Sequence, residues 1–455
     1  MRLSKPASEM SFEDDCLQLN SFADQFERYL QVDHLFVPGS LVVGLEAPFG
    51  SGKTAFLAMW SKRLRQRLDD SPDGPMPVLL NAWEDDFVGD PLLSIVLSLV
   101  SELEQLKGLP ARDLSGLKNA AKKVVWFGVG LANNFVSSST GIDPLAAGKL
   151  AEEKSAKPEA SGEKLFELYR ARKESLTTLK QELKSLLGDE DKVKAIICID
   201  ELDRCRPDYA IEYLETIKHV FDIPGIVFVL AIDKEQVSNS AKALFGSDLN
   251  ANEYLRKFIA RSFHLPKPDE NGIRAMVQSF YERFMVVENV RDSEFREGYL
   301  LDRATELCVA FDFTLRQIED FFRLLGHVFS SEEPTGRMYS SWLQGYLFLC
   351  SLKTRDSKFY RDFCNGNVGI PDLIHVLKQR MHEGNVERWA CLCYTGMHKD
   401  SKVPRLHEYL SQEGLVDTDS IADTRLEDHY AQHWGDSHSN CILRIFNQIE
   451  SAASI

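Results

Sequence analysis

A glycine-rich turn between a short aliphatic run and a helical stretch constrains this chain more than any other feature. The aliphatic run is Leu41 to Leu45 and the helical stretch is Ala55 to Leu68, and between them the chain reads Ala47-Pro48-Phe49-Gly50-Ser51-Gly52-Lys53-Thr54. Strand, glycine turn and helix in this order build a loop that binds phosphate groups. Glycines let the backbone N–H groups curl around a phosphate at the start of the helix. The sequence therefore predicts a nucleotide-phosphate site formed by residues Pro48 to Ala55.

Two side chains at the end of this turn carry chemistry. Lys53 is predicted to reach the β- and γ-phosphates of a nucleotide, most simply ATP, and the hydroxyl of Thr54 is predicted to ligate Mg²⁺. The pattern GxxxxGK[ST] is met with one departure, since Ala47 stands where the first glycine is expected. Pro48 fixes its own φ and biases Ala47 toward an extended conformation, so a turn remains feasible. The alternative is a glycine-rich turn with a surface lysine and no bound phosphate.

A second aliphatic run ends in two carboxylates. Residues Lys194 to Glu201 read KAIICIDE, which is typical of a buried strand followed by acidic residues. Asp200 is predicted to hold the magnesium ion, and Glu201 is predicted to act as the general base that orients and deprotonates water. A solvated strand end is the alternative. The next strand ends at Asp233, which is predicted to lie beside the γ-phosphate.

A cation that stabilises the charge developing on the transferred phosphoryl group is a common further part of such sites. Four arginines are candidates for this role: Arg204, Arg256, Arg261 and Arg316. Residues 252–263 are predicted to form a helix that carries Arg256 and Arg261, and Arg316 lies near the start of another predicted helix. A surface salt bridge is the competing interpretation for each of the four.

Aliphatic runs alternate with amphipathic stretches as far as Asp233, which predicts a parallel sheet covered by helices on both faces. The predicted strands are 41–45, 78–80, 194–199 and 226–232, and the predicted helices between them include 91–106, 165–187 and 208–221. Residues 107–160 are predicted to be an insertion or a mobile segment. After Asp233 no strong strand signal remains. Helices are predicted at 252–263, 272–286, 297–311 and 315–329, a linker at 332–336, and a mainly helical region beyond it.

Net charge and cysteine pattern indicate which partners and which cellular compartment to expect. The formal net charge of −16 argues against nucleic-acid binding across the whole surface and leaves a local basic patch open. The nine cysteines form no CxxC pair, which indicates reduced thiols in a cytoplasmic protein. No signal peptide is predicted, and Val124 to Val136 is too short for a membrane span, so a buried or interfacial segment is expected there.

Several segments together resemble the KAP family of P-loop NTPases. The segment DELDRCRP, from Asp200 to Pro207, and the sequence that follows it are closely similar to that family, and APFGSGKTAFL resembles its Walker A loop. LLNAWEDD, around Asn81, resembles its strand-2 motif. YLRKFIARSFHLP and FTLRQIEDFFR resemble its segments after sensor 1 and at sensor 2. The departures are Ala47 for glycine, Phe49 for tryptophan, and Glu201 where the family often has aspartate.

The resemblance covers about residues 18–330 and implies an α/β P-loop NTPase of the ASCE type, similar to AAA+ and STAND proteins, with a mainly α-helical C-terminal region. It implies a nucleotide-binding core at 1–265 with the insertion at 107–160, a helical lid with a sensor-2-like helix at 266–332, and a helical domain at 333–455. Asp233 then corresponds to sensor 1, and Arg316 to the sensor-2 helix. Many members carry membrane spans between the two nucleotide motifs, so a soluble member is expected here. Many bacterial members resemble components of anti-phage defence loci, such as a Qat-like system, which implies a homo-oligomer or protein partners.

Three functions compete on this sequence. An ATPase that serves as a switch or motor in a defence or signalling assembly is the leading interpretation. A nucleotide-binding scaffold with little or no hydrolysis is the second, against which the Asp200-Glu201 pair weighs. A small-molecule phosphotransferase is the third, and no acceptor-site motif supports it.

Three further sequence patterns could indicate a functional site or a partner helix, and each also has a purely structural interpretation. His429 and His433 lie four residues apart but lack an HExxH glutamate, so a polar surface helix is favoured over zinc binding. Cys391 and Cys393 are predicted to be buried thiols in a core helix rather than metal ligands. The leucines of 165–187 are predicted to pack in the core rather than in a coiled coil, because sustained heptads are absent.

Overall fold

The computed structural model describes residues 10–15, 17–71, 74–106, 111–129, 161–189, 191–284, 297–330, 340–397, 406–415, 434 and 440–453. The chain divides into two compact units. The sheet unit has Leu19–Pro266 as its main segment, and the helical unit has Lys267–Ile455 as its main segment. The finer division into residues 1–265, 266–332 and 333–455 stays a prediction.

Strands and helices alternate through most of the sheet unit. In chain order its elements are α1 (Asn20–Asp33), β1 (Leu41–Glu46), α2 (Lys53–Asp70), β2 (Met76–Asn81), α3 (Pro91–Gln105), α4 (Ala111–Val129), α5 (Ser161–Leu187), β3 (Ala195–Asp200), α6 (Pro207–Val220), β4 (Ile226–Ile232), α7 (Lys234–Phe245), α8 (Ala251–Leu255) and β5 (Arg261–His264). The predicted strands at 41–45, 78–80, 194–199 and 226–232 are confirmed, with small differences at their ends.

The five strands form one parallel sheet in the order β2-β3-β4-β1-β5. Every residue of β1, β3 and β4 is buried, as expected for inner strands that helices cover on both faces. Because all strands run the same way, their carboxyl ends meet at one edge of the sheet. Asn81 lies opposite Asp200 there, and Glu46 lies opposite Ile232. This edge therefore collects the polar residues that follow each strand.

The helix predicted at 252–263 is wrong. Helix α8 ends at Leu255, and residues 261–264 form β5, which pairs with β1 at the edge of the sheet. The backbone N–H of Ala260 donates to the carbonyl of Val42, and that of Leu265 donates to the carbonyl of Glu46. These long-range bonds satisfy the free edge of β1, so pairing with a distant strand overrides the local helical pattern.

Part of the segment 107–160 is a packed helix, α4, and the interpretation of the whole segment as an insertion stays a prediction. Helix α4 buries Leu117, Ala120 and Ala121 in the same core as α3 and α5. Val124 and Val125 are buried, as expected, while 130–136 lie outside the described residues. Within the described residues, no helix combines the length and the apolar character that a membrane crossing requires. In α5, Leu179, Leu183 and Leu187 are fully buried, which confirms core packing.

Helices make up the described part of the helical unit. They are α9 (Glu270–Phe284), α10 (Glu297–Ala310), α11 (Leu315–Ser330), α12 (Ser340–Arg355), α13 (Ser357–Cys364), α14 (Ile370–Lys378), α15 (Glu383–Met397), α16 (Leu406–Gln412) and α17 (Cys441–Ala453). The predicted helices at 272–286, 297–311 and 315–329 are confirmed. Cys391 and Cys393 are buried in α15, as predicted. The predicted linker at 332–336 and the pair His429 and His433 lie outside the described residues.

Candidate functional site

The glycine-rich turn joins the carboxyl end of β1 to the first turn of α2. Gly50 and Gly52 have φ values of 79° and 96°, a region of the backbone map that side chains with a Cβ rarely occupy. Gly52 is the N-cap residue of α2, and its carbonyl accepts from the N–H of Phe56 at 2.9 Å. The loop therefore ends at a helix N-terminus, where unpaired backbone N–H groups and the helix dipole favour an anion.

Ala47 extends strand β1 instead of forming part of the tight turn. Its N–H donates to the carbonyl of Ile232 in β4 at 3.3 Å, which continues the strand pairing by one residue. The described non-glycine residues with positive φ are Gln18, Glu201 and Asp312, so Ala47 is not in the left-handed region. The departure from the glycine pattern is thus compatible with the loop geometry, as the extended conformation before Pro48 predicts.

Lys53 is buried at the centre of the site and is held by groups of its own chain. Its Nζ donates to the carbonyl of Ala47 at 2.7 Å and reaches that of Pro48 at 3.5 Å. The same nitrogen lies 3.6 Å from Oδ2 of Asp203. Asp203 in turn accepts from the N–H of Asp233 at 2.6 Å. Lys53 is therefore linked through one carboxylate to the tip of β4.

Asp203 is a residue that the sequence reasoning missed as part of this site. It follows β3 by three positions within the acidic segment DELD, so the spacing alone did not separate it from a solvated surface residue. In the structure its side chain is largely buried and bridges the glycine-rich loop and β4. The signal that could have found it is the combination of a buried strand end and a further carboxylate three residues after Asp200.

Asp200 is a buried carboxylate beside the start of α2. Burial raises its pKa above the ordinary value of 3.8, and hydrogen bonds from the Thr54 hydroxyl and from the N–H of Glu201 oppose that rise. A hydroxyl and a carboxylate side by side are hard oxygen ligands of the kind that Mg²⁺ prefers, with water and phosphate oxygens completing its shell. The donor set of Thr54 and Asp200 therefore fits the ion. Among the described residues, no cluster of three His, Cys, Asp or Glu side chains offers a competing metal site.

Glu201 has an unusual backbone and two side-chain partners. Its φ and ψ of 60° and 21° are left-handed, a conformation that costs energy in a residue with a long side chain. One carboxylate oxygen, Oε2, lies 3.4 Å from Nδ2 of Asn81 at the end of β2. The other, Oε1, lies 3.0 Å from Nη1 of Arg204. The carboxylate of the predicted general base is thus held between Asn81, at the end of β2, and Arg204.

Arg204 lies against the glycine-rich loop. Its guanidinium is 4.6 Å from the ring centre of Phe49 and 5.6 Å from that of Trp83, both within the range of cation–π contacts. Trp83 follows β2, and its backbone N–H donates to the side-chain oxygen of Asn81 at 3.1 Å. From the sequence, Arg204 is one of four arginines that could stabilise charge on the transferred phosphoryl group. The structure shows that Arg204 contacts Glu201.

Asp233 occupies the tip of β4, next to the loop in the strand order. Its side chain caps α7 by accepting from the N–H of Glu235 at 3.1 Å. The adjacent Lys234 pairs with Glu46 at the end of β1, at 3.2 Å. The location agrees with a strand-tip residue near the loop, and a role for Asp233 toward the γ-phosphate stays a prediction.

The other three candidate arginines lie on other elements of the chain. Arg256 follows α8 as its C-cap residue. Arg261 is exposed in β5, where its Nε lies 3.2 Å from Oδ2 of Asp33, the ion pair that was the competing interpretation. Arg316 lies in α11, in the helical unit. A catalytic role for any of the three stays a prediction.

Comparison with known proteins agrees with this geometry. The profile of the KAP family P-loop domain matches residues 19–330, more than half of the chain. The phage T7 exclusion protein of Escherichia coli K12 is 25% identical over 259 residues, which are 54% of this chain and 33% of that protein. The chain thus aligns with about a third of the relative's length. The ORC2 protein of Aeropyrum pernix, solved as ADPNP-ADP complexes, has a TM-score of 0.35 and 13% identity over 96% of this chain and 95% of that one, values too low to support an inference.

Proposed function

This chain belongs to the KAP family of P-loop NTPases, and from that premise we propose that it is a Mg²⁺-dependent ATPase that drives a change of state in a multi-protein assembly. Nucleotide binding is the property of the family as a whole. We propose in addition that the nucleotide is ATP, that the chain hydrolyses it, and that the chain works within an assembly.

One observation carries the hydrolytic part of the proposal. The hydroxyl of Thr54 is hydrogen-bonded to Asp200, and Glu201 is the next residue along the chain. Side chains of the phosphate loop and of the acidic strand end after β3 are thereby in contact, although strand β4 lies between β1 and β3 in the sheet. A scaffold that only bound nucleotide would have no need of a second carboxylate beside the first. The arrangement therefore favours a hydrolase over a scaffold.

The roles of the side chains follow from their surroundings. The N–H groups of the loop bind the phosphates, and Lys53 exchanges its carbonyl and Asp203 partners for the β- and γ-phosphates. Thr54 and Asp200 would hold Mg²⁺, which neutralises charge on the phosphate oxygens. Glu201 orients a water molecule and takes its proton as the water oxygen bonds to the γ-phosphorus, while the bond from that phosphorus to the β–γ bridging oxygen breaks and ADP leaves. Asp233, with Arg256, Arg261 or Arg316 as the source of a further cation, completes the proposed site.

Phosphate release from ATP with and without Mg²⁺ tests this proposal, and GTP serves as the comparison nucleotide. Lys53→Ala is expected to abolish nucleotide binding, whereas Glu201→Gln is expected to keep binding and to lower turnover by at least about 100-fold, the range for loss of a general base. Arg67→Ala is a matched control, because Arg67 is an exposed arginine paired with Glu27 on the same unit. Normal turnover in the Glu201→Gln variant would contradict the assignment.

The same assay separates the two alternatives. Nucleotide binding without phosphate release, alone and with added partners, would establish the scaffold function instead. Transfer of a labelled γ-phosphate to an acceptor other than water would establish a phosphotransferase. The intact pair of Asp200 and Glu201, with no acceptor motif in the sequence, supports hydrolysis against both.

The name of the E. coli relative supports a role in exclusion of phage, and we extend that role to this chain as part of the proposal. We place the protein in the cytoplasm, because the eight cysteines that the structure describes are buried and are thiols rather than disulfides. In this setting ATP would hold one homo-oligomeric or partner-bound state and hydrolysis would reset it. Size measurement with ADP and with a slowly hydrolysed ATP analogue tests the switch. Plaque counts on cells that carry the parent chain or Lys53→Ala, within the chain's native gene neighbourhood, test the defence role.

A further inference from the structure

Arg204 connects three segments that meet at the carboxyl edge of the sheet. Its Nη1 lies 3.0 Å from Oε1 of Glu201, and its guanidinium contacts Phe49 of the loop and Trp83 after β2. Its backbone N–H donates to the carbonyl of Glu201 at 3.1 Å, which closes the 3-10 turn Leu202–Arg204. Both the main chain and the side chain of Arg204 therefore hold Glu201.

We propose that Arg204 is a positioning residue that fixes the carboxylate of Glu201 for proton transfer and couples its orientation to the glycine-rich loop through Phe49. This inference rests on the proposed ATPase function. It differs from the role expected of a cationic residue in such a site, since Arg204 acts through Glu201 and not on the phosphate.

The need for a positioning residue follows from the side chain of Glu201. A glutamate side chain has three torsions, and an unrestrained one samples many orientations, most of which place the carboxylate out of line with the attacking water. The left-handed backbone at Glu201 sets the direction in which the side chain leaves the chain. The contact with Arg204 then fixes Oε1, while Asn81 stands at a longer 3.4 Å from Oε2. Oε2 is therefore the oxygen suited to accept a proton from water.

The aromatic contacts explain why an arginine suits this position. A planar guanidinium can stack on rings and donate in its own plane at the same time, which an ammonium group cannot do. Phe49 and Trp83, both about half exposed, restrict Arg204 from two sides. Because Phe49 lies between Pro48 and Gly50, a rearrangement of the loop around phosphate moves one of the two surfaces that hold Arg204. The occupancy of the loop is thereby transmitted to Glu201.

Steady-state kinetics on the full chain test the inference. Arg204→Ala is expected to lower kcat between about 10- and 100-fold, the effect of a misplaced catalytic group, with KM and the separately measured Kd of a slowly hydrolysed ATP analogue within about 3-fold of the parent. Arg204→Lys is expected to recover part of kcat, because the charge is kept and the planar stack is lost. The kcat of Phe49→Leu is expected to lie between those of the parent and Arg204→Ala. Arg67→Ala is the matched arginine control, with parent-like kcat.

A double-mutant cycle separates this role from direct action on the phosphate. If Arg204 acts through Glu201, Arg204→Ala lowers the residual turnover of the Glu201→Gln variant by less than about 2-fold, because the group it positions is already disabled. An equal loss in both backgrounds would show that Arg204 acts on the phosphate itself and would overturn the inference. Parent-like kcat in Arg204→Ala would overturn it as well, with the ATPase function left standing.

The pairing can also be measured without turnover. The four proteins of the cycle are the parent, Arg204→Ala, Glu201→Gln and the double variant. Thermal unfolding of these proteins without nucleotide is expected to show non-additive shifts of the midpoint, since Arg204 and Glu201 are in contact. Additive midpoints would overturn the pairing. A parent chain that releases no phosphate while its midpoints are non-additive would overturn the proposed ATPase function and the catalytic purpose of the contact, and would leave the contact itself established.

Discussion

Lys53 donates a 2.7 Å hydrogen bond to the carbonyl of Ala47, the residue that replaces the first glycine of the phosphate-loop pattern. The contact uses a backbone oxygen, so the identity of the side chain at position 47 does not affect it. The N–H of the same residue pairs with Ile232 in β4. Ala47 is thus held in an extended conformation by both of its backbone groups, and the departure from glycine costs the loop nothing that the structure shows.

A matched pair of loop substitutions tests this explanation. Ala47→Gly is expected to leave the affinity for Mg-ATP within about 3-fold of the parent, because position 47 does not require a positive φ. Gly52→Ala is expected to weaken binding by about 5- to 30-fold, since a Cβ at φ 96° costs about 1–2 kcal/mol in the loop conformation. Calorimetric titration with a slowly hydrolysed analogue measures both. A larger loss in Ala47→Gly than in Gly52→Ala would contradict the explanation.

The burial of Asp200 predicts a conflict between stability and function. Because burial raises its pKa, the folded chain binds the Asp200 proton more tightly than the unfolded chain does. The associated stability is fully present below the ordinary value of 3.8 and is lost as the pH rises through the raised pKa, so the charged group is a cost at pH 7. Asp200→Asn is therefore expected to unfold at a higher temperature than the parent at pH 7 without nucleotide, and this advantage should shrink toward pH 4.

With Mg-ATP added, the parent should unfold at a higher temperature than Asp200→Asn, the reverse of the order without nucleotide. The parent is expected to gain stability from the bound ligand, whereas Asp200→Asn lacks the carboxylate that we propose as a ligand of the ion and should gain little. Asp248→Asn, at an exposed turn, is the control and should follow the parent under every condition. If Asp200→Asn unfolds below the parent at pH 7 without nucleotide, the assignment of Asp200 as a destabilising buried charge is wrong.

Glu27 is predicted to anchor α1 to the helix that begins at the phosphate loop. Its carboxylate accepts from the indole N–H of Trp60 at 2.8 Å and from Arg67 at 2.6 Å, and it also pairs with Arg63. Trp60 is fully buried, so Glu27→Ala leaves its N–H without this acceptor and should lower the free energy of unfolding by about 1–3 kcal/mol. Urea unfolding measures the loss. Glu27→Gln keeps an acceptor oxygen and should lose less; an equal loss in both variants would point to the ion pairs instead.

The described cysteines are predicted to resist alkylation in the folded protein. Burial raises the pKa of Cys198 and of Cys205 to about 12, so neither thiol is ionised or accessible near neutral pH. Iodoacetamide at pH 8 should leave both unmodified until denaturant is added, as peptide mass mapping would show. Rapid labelling of Cys205 in the native chain would mean that the turn after β3 opens in solution. Nucleotide should slow any such labelling, because Cys205 lies one residue beyond Arg204.

Local sequence pattern was sufficient for the elements that are buried by their own composition. Strands β1, β3 and β4 are continuous aliphatic runs, and the helices that cover them repeat their apolar residues at helical spacing. The glycine-rich turn and the Asp200-Glu201 pair could likewise be recognised from residue type and spacing. These features depend on neighbours within a few residues, which is the range over which periodicity and turn chemistry act.

Only the tertiary structure decided which distant groups meet. β5 forms because the open edge of β1 offers hydrogen bonds to a segment whose own pattern resembled a helix. The strand order places β4 between β1 and β3, and this order determines that Lys53 reaches Asp203 and that Phe49 reaches Arg204. Such contacts join residues more than 100 positions apart, and their geometry depends on register and strand order, which no local periodicity encodes. The sequence by itself determined the phosphate loop and its two acidic partners; the packing of the sheet determined what holds them in place.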